Sequence, residues 1–366
     1  MPKLNFRAPV NTLSVYLTTT SPWHIAYPDN LVKERNGEGK EVQYSATLKK
    51  KIGRQNIPYY AGNGVRNGMR RMARDFLMRF ITEINGPITT DFFNGLSCGA
   101  SRGKPDSSKN SVEELTRASQ HCYMGLFGGG ARLLSGKIRV SDINIICQDT
   151  LNKGIIKAGG QKRLDIESSY PEVFGEKPVQ PFMFTDKRHF VRIDDVVRGL
   201  SPDHIKAIDG GMKAVDEHIE AVSSGDAKRK ADSAVKKDSL ANIITYEVIP
   251  EGTPMHFSIS MDPDITEGQL GLLLISLQML LQRNYFGGRG SNGLGEARID
   301  SLSLVSDNHD VEISKPSEAL YNDNGDFELP SEFYPLMEIA AAEAESLDPV
   351  ETESYFLSMD QIKKQG

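Results

Sequence analysis

Stretches in which apolar and polar side chains alternate recur along the chain and predict β-strands. Residues 10–20 (VNTLSVYLTTT), 241–249 (ANIITYEVI), 255–261 (MHFSISM) and 296–305 follow this pattern. The segment 126–147 turns at three consecutive glycines and then alternates as well. Because successive side chains of a strand point to opposite faces, each stretch offers one face to an apolar core.

Apolar residues at helical spacing predict two long helices. From residue 64 to 81 they recur every three or four positions and form a single stripe. The stretch 267–283 is apolar on most sides, which predicts a buried helix. Asn63 directly precedes the first of these helices and is its predicted N-cap. Residues 112–124 are predicted to form a further helix.

Polar stretches separate these elements. Residues 21–60 are predicted to form a long loop, and residues 148–190 a projecting hairpin or loop that buries little. Ala, Lys, Asp and Glu at helical density predict an exposed helical insertion at residues 203–238. The glycine-rich segment 284–295 links the buried helix to the last strand.

The order of these elements predicts the fold class. Strand, helix, strand, insertion, two strands, helix, glycine loop and strand follow one another, which is close to a βαββαβ ferredoxin-like plan. We therefore expect an α+β protein. RNA-recognition folds use the same plan, with one face of the sheet turned toward single-stranded RNA.

The charge of the chain is unevenly distributed. The 366 residues contain 43 Lys and Arg and 49 Asp and Glu, a net charge of −6. Residues 306–366 hold 15 of the acidic residues and only three basic ones, which leaves 40 basic and 34 acidic residues in residues 1–305. The sequence thus predicts a basic body, residues 1–305, and an acidic C-terminal extension, residues 306–366. Either the extension is a solvated tail, or the body binds a polyanion, and the extension then avoids the polyanion or contacts a neighbouring subunit.

Several protein classes are excluded by composition. The longest apolar run, residues 270–281, is too short for a membrane span of ~20 residues, and the N-terminus lacks the apolar core of a signal peptide. Three distant cysteines favour a reducing cytoplasm. The seven histidines show no metal-ligand spacing, and there is no Walker motif. We expect a cytoplasmic protein without metal or cofactor and without membrane contact.

A glycine turn before an arginine-bearing helix is the first candidate phosphate site. A helix N-terminus offers free N–H groups and partial positive charge, and arginines add charge-assisted hydrogen bonds. The alternative is a capped amphipathic helix with a solvated basic face. The candidate RNA-binding residues of this segment are Asn63, Gly64, Arg66, Asn67, Arg70, Arg71 and Arg74.

The glycine loop at residues 284–295 is the second candidate. It contains a formal GxGxxG, but a helix precedes it and a strand follows, the reverse of a dinucleotide fold. Exposed backbone N–H groups could still clamp a phosphate chain. The alternative is a flexible connection. The candidate RNA-binding residues here are Gly288, Arg289, Gly290, Ser291 and Asn292.

Taken in order, five segments resemble the RAMP superfamily of CRISPR proteins, and within it the Cas-seven type backbone subunit, most closely the type IV effector member. The segments are TSPWHI, IPYYAGNGVRNGMRR, LFGGGARLLSGKIRVSDI, FVRIDDVVRGL with the later DSLANIITYEVIPEGTPMHFSI, and YFGGRGSNGLGEARI. The helix start departs from the family in having Asn63-Gly64 where two serines are usual.

The resemblance implies a modified ferredoxin-like (RRM/RAMP) palm with an inserted thumb at about 148–190, besides the helical insertion and the acidic extension. It implies an antiviral ribonucleoprotein subunit that polymerises along a guide CRISPR RNA (crRNA) and presents it to target DNA or RNA. Its partners would be further copies of itself in a helical filament and other CRISPR effector subunits. Further candidate RNA-binding residues are His24, Arg102, Lys104, Arg132, Lys137 and Arg139.

Two other functions stay open. Type III relatives cut target RNA with an Asp in the loop after the first strand, where this chain has only Asp29, in surroundings that do not match. We therefore expect a binding subunit and no enzyme, with a metal-dependent ribonuclease using Asp29 as the alternative. The other possibility is an ordinary protein–protein module whose arginines only solvate its surface.

Overall fold

A computed structural model describes most of the chain. The described residues are 11–26, 31–35, 41–85, 87–99, 111–131, 133–156, 166, 168–174, 184–194, 201–217, 240–287 and 290–357. The chain divides into two compact units. The first comprises residues 1–27, 47–185 and 249–366, and the second residues 28–46 and 186–248.

Runs of strands and runs of helices follow one another along the chain. The strands are β1 (Asn11–Thr19), β2 (Leu31–Arg35), β3 (Glu41–Ser45), β4 (Lys49–Ile52), β5 (Gln55–Tyr60), β6 (Ile138–Val140), β7 (Ile143–Ile145), β8 (Asp186–Asp194), β9 (Leu240–Val248), β10 (Pro254–Met261), β11 (Ala297–Ser306) and β12 (Val311–Pro316). The helices are α1 (Gly62–Asn85), α2 (Thr90–Cys98), α3 (Val112–Gln120), α4 (Cys122–Phe127), α5 (Gln148–Asn152), α6 (Pro171–Phe174), α7 (Pro202–Ala207), α8 (Glu267–Arg283), α9 (Tyr334–Glu345) and α10 (Pro349–Ser354).

The main sheet of the first unit confirms the predicted fold class. Its strand order is β12-β11-β1-β10-β7-β5-β4, with β6 also paired to β10, and its paired strands are antiparallel. The central order β11-β1-β10-β7, with α1 and α8 as the two connecting helices, is the ferredoxin-like arrangement. The protein is a mixed α+β fold.

The core lies on one face of this sheet. Leu13, Val15 and Leu17 of β1 point to that face and are fully buried, and β10 contributes Phe257 in the same way. Helices α1 and α8 cover these side chains, and α8 is buried along most of its length, as its all-round apolar pattern predicts. Burial of this apolar face stabilises the unit and fixes where α1 and α8 meet.

The opposite face of the sheet is polar and is partly covered by the segment after β7. Ile156, Ile166 and Tyr170 form a small buried cluster there with Tyr16. The prediction that residues 148–190 project and bury little is therefore wrong for these positions. Strand β8, at the end of that range, pairs instead with β9 in the second unit.

The acidic extension packs onto the first unit over residues 311–357. Strand β12 pairs with β11 at the edge of the main sheet. Phe333 and Phe356 are fully buried. Helix α9 packs against α8 so closely that a Cβ on Gly271 would lie 1.9 Å from the carbonyl oxygen of Leu336. The expectation of a solvated tail is wrong for this part of the extension, because its apolar residues complete the core.

The second unit contains a four-stranded sheet in the order β2-β3-β9-β8. Residues 31–35, 41–45, 49–52 and 55–60 are strands, so the prediction of a loop over 21–60 is wrong there. Strands β2 (LVKER) and β4 (KKKI) are rich in charged residues, and a search for apolar alternation therefore misses them. Each pairs with its neighbour in sequence, β2 with β3 and β4 with β5, while β9 and β7 join these hairpins to the two sheets. Strands β4 and β5 belong to the main sheet of the first unit. Within the insertion, α7 and residues 211–217 are helical, and residues 218–239 lie outside the described chain.

In the part of the chain that the structure describes, no helix is both long and apolar enough to cross a membrane. The helix predicted at residues 112–124 is interrupted at His121, which separates α3 from α4.

His121 caps α4 in its neutral form. Its Nδ1 accepts hydrogen bonds from the backbone N–H groups of Tyr123 (3.1 Å) and Met124 (3.2 Å). The proton must therefore sit on Nε2, which contacts Thr352 Oγ1 at 3.0 Å. Burial lowers the pKa of His121 to about 4, with a smaller opposing effect from the charge of Glu351. Protonation of Nδ1 would remove both cap hydrogen bonds.

We predict that acid weakens the fold through His121. The folded pKa of about 4 lies below the ordinary value of 6.5, so stability is complete above pH 6.5 and falls as the pH drops toward 4. This one residue should account for a loss of about 3 kcal/mol in the free energy of unfolding. His121→Asn keeps a capping oxygen but cannot titrate, so urea unfolding should show a smaller loss between pH 6.5 and 4. His204→Asn, at an exposed position, should retain the full loss. Equal losses in both variants would contradict the assignment.

Candidate nucleic-acid interface

The two predicted glycine-bearing segments meet in one cleft. One wall is the first half of α1, and the other is the end of α8 with the loop that follows it. The cleft has a volume of about 500 Å³. Its lining residues are Tyr60, Gly64, Val65, Gly68, Arg71, Met72, Leu280, Arg283, Tyr285, Phe286, Gly287 and Gly290. Gly64, Gly68 and Arg71 follow the spacing i, i+4, i+7 and so share one face of α1.

Glycines on that face of α1 allow close packing. A Cβ on Gly64 would lie 2.6 Å from the Tyr60 ring, and a Cβ on Gly68 would lie 2.9 Å from Cδ1 of Leu280. A larger residue at either position would have to displace the Tyr60 ring or the Leu280 side chain. The backbone of α1 at these two glycines therefore forms part of the cleft wall.

An aromatic cluster holds the glycine loop against the rest of the unit. Phe286 stacks on Trp23 with ring centroids 5.1 Å apart, and Tyr60 meets Phe286 edge-on at 6.2 Å. Trp23 is fully buried and its Nε1 donates to the carbonyl oxygen of Glu296 at 2.8 Å. Gly287 adopts φ +90, and a Cβ there would lie 2.9 Å from the carbonyl oxygen of His24. The beginning of the loop is thus fixed by packing as well as by hydrogen bonds.

The N-terminus of α1 is capped by a carboxylate from another segment. The helix begins at Gly62, whose N–H donates to Oδ1 of Asp142 at 3.0 Å, while Lys50 Nζ lies 2.6 Å from Oδ2. Asn63 therefore lies in the first turn, exposed, and the prediction that it is the N-cap is wrong. A Cβ on Gly62 would lie 2.4 Å from the carbonyl oxygen of Val140, which brings this segment close enough for Asp142 to cap the helix. A phosphate at this helix end would have to compete with that carboxylate.

Arg66 and Arg70 turn inward. Both donate from Nη2 to the carbonyl oxygen of Phe127, and Arg70 also donates to that of Gly128 at 3.0 Å. Arg70 is 5% exposed. Burial lowers the pKa of Arg66, and the neighbouring charge of Arg70 lowers it further. The two guanidinium groups satisfy carbonyls at the C-terminal end of α4, where positive charge is favourable.

Arg71 and Arg283 face the cleft instead. Both are exposed, neither forms an ion pair within the described residues, and no carboxylate lines this cleft in the described chain. Burial raises the pKa of Tyr60, while a hydrogen bond from the backbone of Gly287 and the charge of Arg71 oppose that rise. Arg71 is therefore close enough to influence the Tyr60 hydroxyl. The described part of the cleft carries net positive charge.

Sequence reasoning missed Arg283, Tyr285 and Tyr60. Arg283 ends α8 immediately before the glycine loop, a position at which a basic side chain must lie beside whatever the loop contacts. The position of Arg283 next to the glycine loop is visible in the sequence, but the apolar pattern of α8 predicts only a buried helix. Tyr60 precedes α1 by two residues, and only the packing of its ring reveals its place in the cleft.

Other predicted residues lie elsewhere or are engaged with protein groups. His24 is 1% exposed. Arg74 pairs with Asp75 and lies over the Phe93 ring at 4.7 Å. The remaining strand positions are also paired: Lys137 lies 3.1 Å from a carboxylate oxygen of Asp264, and Arg139 lies 2.8 Å from one of Asp262.

Near the cleft, Asn67 is exposed on α1, and Ser291 and Asn292 belong to the short 3-10 turn Gly290–Asn292. The predicted residues outside the described chain are Arg102, Lys104, Arg132, Gly288 and Arg289, and Asp29 also lies outside it. Among the residues that can be placed, no group of three or more His, Cys, Asp or Glu could hold a metal ion.

The contrast between Arg70 and Arg71 gives a testable prediction. Arg70→Met should lower the free energy of unfolding by about 3 kcal/mol, because the carbonyls of Phe127 and Gly128 lose charged donors. Arg71→Met, one residue further and exposed, should change it by less than about 0.5 kcal/mol. Urea denaturation of the two variants measures the difference. Similar stabilities would contradict a structural role for Arg70.

No protein-family model matches the chain, and no curated protein matches its sequence. Two solved structures show a distant likeness in fold. A chain of a "Type IV-B CRISPR Complex" matches with a TM-score of 0.41 and 15% identity, over 85% of this chain and 100% of that chain. A chain of "the Type III-B Cmr-beta bound to cognate target RNA" matches with a TM-score of 0.35 and 10% identity, over 81% of this chain and 61% of that one. At these scores, neither likeness decides what this chain binds.

Proposed function

We propose that this chain binds the sugar–phosphate backbone of a guide RNA in the cleft between α1 and the 285–290 loop, as a backbone subunit of a multisubunit CRISPR effector complex. One observation carries the proposal: two glycine-bearing segments distant in sequence share a cleft that presents Arg71 and Arg283 without a lining carboxylate among the described residues. The sequence resemblance to the type IV backbone subunit supplies the biological setting.

The chemistry of the cleft suits a strand of variable sequence. Guanidinium groups bind phosphate oxygens through paired charge-assisted hydrogen bonds, and such phosphate contacts carry no sequence information. Glycine backbone at Gly287 and Gly290 lets a strand approach without side-chain obstruction. A carrier of many different guides requires this combination, since sequence is then read by base pairing with the target.

The proposed function requires other molecules as partners but no catalytic step by this chain. Further copies of the chain would bind successive segments of the same RNA, and other effector subunits would complete the assembly. The target is DNA or RNA. Arg66, half-buried, and Arg70, buried, would position the wall of the cleft, and Arg71 and Arg283 would contact phosphates.

We predict that removing the two cleft arginines weakens RNA binding and its salt dependence. Each lost phosphate contact lowers the slope of log K against log salt by about 0.7, so Arg71→Ala/Arg283→Ala should lower it by about 1.4. Affinity should fall by about tenfold per arginine, in line with the worth of a charge-assisted hydrogen bond. Fluorescence anisotropy with a labelled single-stranded RNA at several salt concentrations measures both quantities.

Arg79→Ala/Arg117→Ala is the matched control. It removes the same charge from exposed positions outside the cleft lining and should leave the slope nearly unchanged. Equal losses in both double variants would mean that the protein attracts RNA by net charge alone, and would contradict the cleft as the binding site.

We also predict that the assembled complex does not cut complementary RNA in the presence of Mg²⁺. Gel analysis of labelled target over time is the measurement. Cleavage that vanishes in Asp29→Ala would establish the ribonuclease alternative and overturn the assignment as a binding subunit.

A further inference from the structure

We infer that Tyr285 is a stacking platform for an unpaired nucleobase, so that the cleft takes a nucleotide of a single strand and not a phosphate chain alone. This inference rests on the proposed function, because it assigns the base-contacting part of the same site. Tyr285 is absent from the residues that the sequence predicted.

The exposure of Tyr285 is the first observation. Its side chain is 48% exposed, whereas Phe286, the next residue, is 2% exposed and Trp23 is fully buried. A large ring left half in water at the lip of a cleft forgoes the stabilisation that burial would give. An aromatic ring at such a position is typical of surfaces that receive a planar partner.

The ring is held in place before any ligand arrives. Asn284 takes a left-handed conformation (φ +50) at the end of α8, and its Oδ1 accepts the N–H of Ala297 at 3.1 Å. Phe286 on the other side is fixed in the aromatic cluster. A Cβ on Gly290 would lie 3.2 Å from Cδ1 of Tyr285, so the ring rests against this glycine. Such preorganisation lowers the entropy lost on binding.

The surroundings of Tyr285 match the parts of a nucleotide. Arg283 and Arg71 supply charge for phosphates, while Met72 and Leu280 supply apolar lining beside them. Polyphosphate would use only the two arginines and leave the ring and apolar atoms unused. A nucleotide with a free base uses both, and base–aromatic stacking contributes about 1–3 kcal/mol per base whatever the sequence. In a duplex the base faces are already stacked, which favours a single strand.

The experiment compares normal and abasic strands on the full-length protein. The ligands are a single-stranded RNA, the same strand with abasic sites, inorganic polyphosphate, and a strand carrying 2-aminopurine. The wild-type protein should bind the normal strand about tenfold more tightly than the abasic strand. It should also quench 2-aminopurine fluorescence, because the fluorophore stacks on the ring.

Tyr285→Ala should bind normal and abasic strands equally and lose the quenching, and Tyr285→Phe should behave as wild type. Tyr285→Leu keeps apolar bulk without a flat ring and should resemble the Ala variant, which separates stacking from simple hydrophobic contact. Tyr334→Ala removes another exposed tyrosine, on α9 and outside the cleft lining, and should change nothing. Thermal melting checks that each variant is folded.

The results distinguish a failure of the stacking assignment from a failure of the proposed function. If wild type and Tyr285→Ala both bind normal and abasic strands alike, the stacking assignment is overturned and backbone binding stands. Polyphosphate binding as tight as that of RNA would also overturn it. If the wild-type protein binds no single strand at all, the proposed function fails as well.

Discussion

The candidate site depends on the stacking of Phe286 on Trp23. Tyr60 packs edge-on against Phe286. These three rings come from the segment after β1, the end of β5 and the loop after α8. Their burial holds three distant chain segments together beside the cleft. Aromatic pairs are suited to this because they combine a large buried area with a preferred geometry. Without that contact, the glycine loop would be an ordinary flexible connection and α1 an ordinary amphipathic helix.

The arginines of α1 differ in where their side chains point, although they are the same residue type. Arg66 and Arg70 donate into the end of α4, where they neutralise carbonyl groups that have no helical partner. Arg71 leaves the helix on another face and remains in solvent. The hydrogen bonds of Arg66 and Arg70 tie α1 to the end of α4, and the exposed Arg71 extends from the same helix. Neighbouring arginines on one helix thus have different roles: Arg66 and Arg70 stabilise the fold, and Arg71 is the one that the proposed function assigns to phosphate binding.

The acidic extension contributes to the fold in spite of its composition. Its apolar residues, such as Phe333 and Phe356, are buried with the core, while its carboxylates stay on the surface. Over residues 311–357, the excess negative charge of the extension therefore lies on the surface of a folded segment and not on a solvated tail.

The sequence by itself determined the fold class, because strand and helix periodicity and the order of elements leave few ways to bury the apolar faces of β1, β10 and α8. It also singled out both glycine-bearing segments. It could not determine which arginines reach solvent, because a helical wheel places Arg66, Arg70 and Arg74 on one face without showing that α4 covers it. The cap of α1 by Asp142, and the placement of Arg71, Arg283 and Tyr285 in one cleft, both bring together segments distant in sequence. Only the tertiary structure decided them, since local pattern records what one segment prefers and not what packs against it.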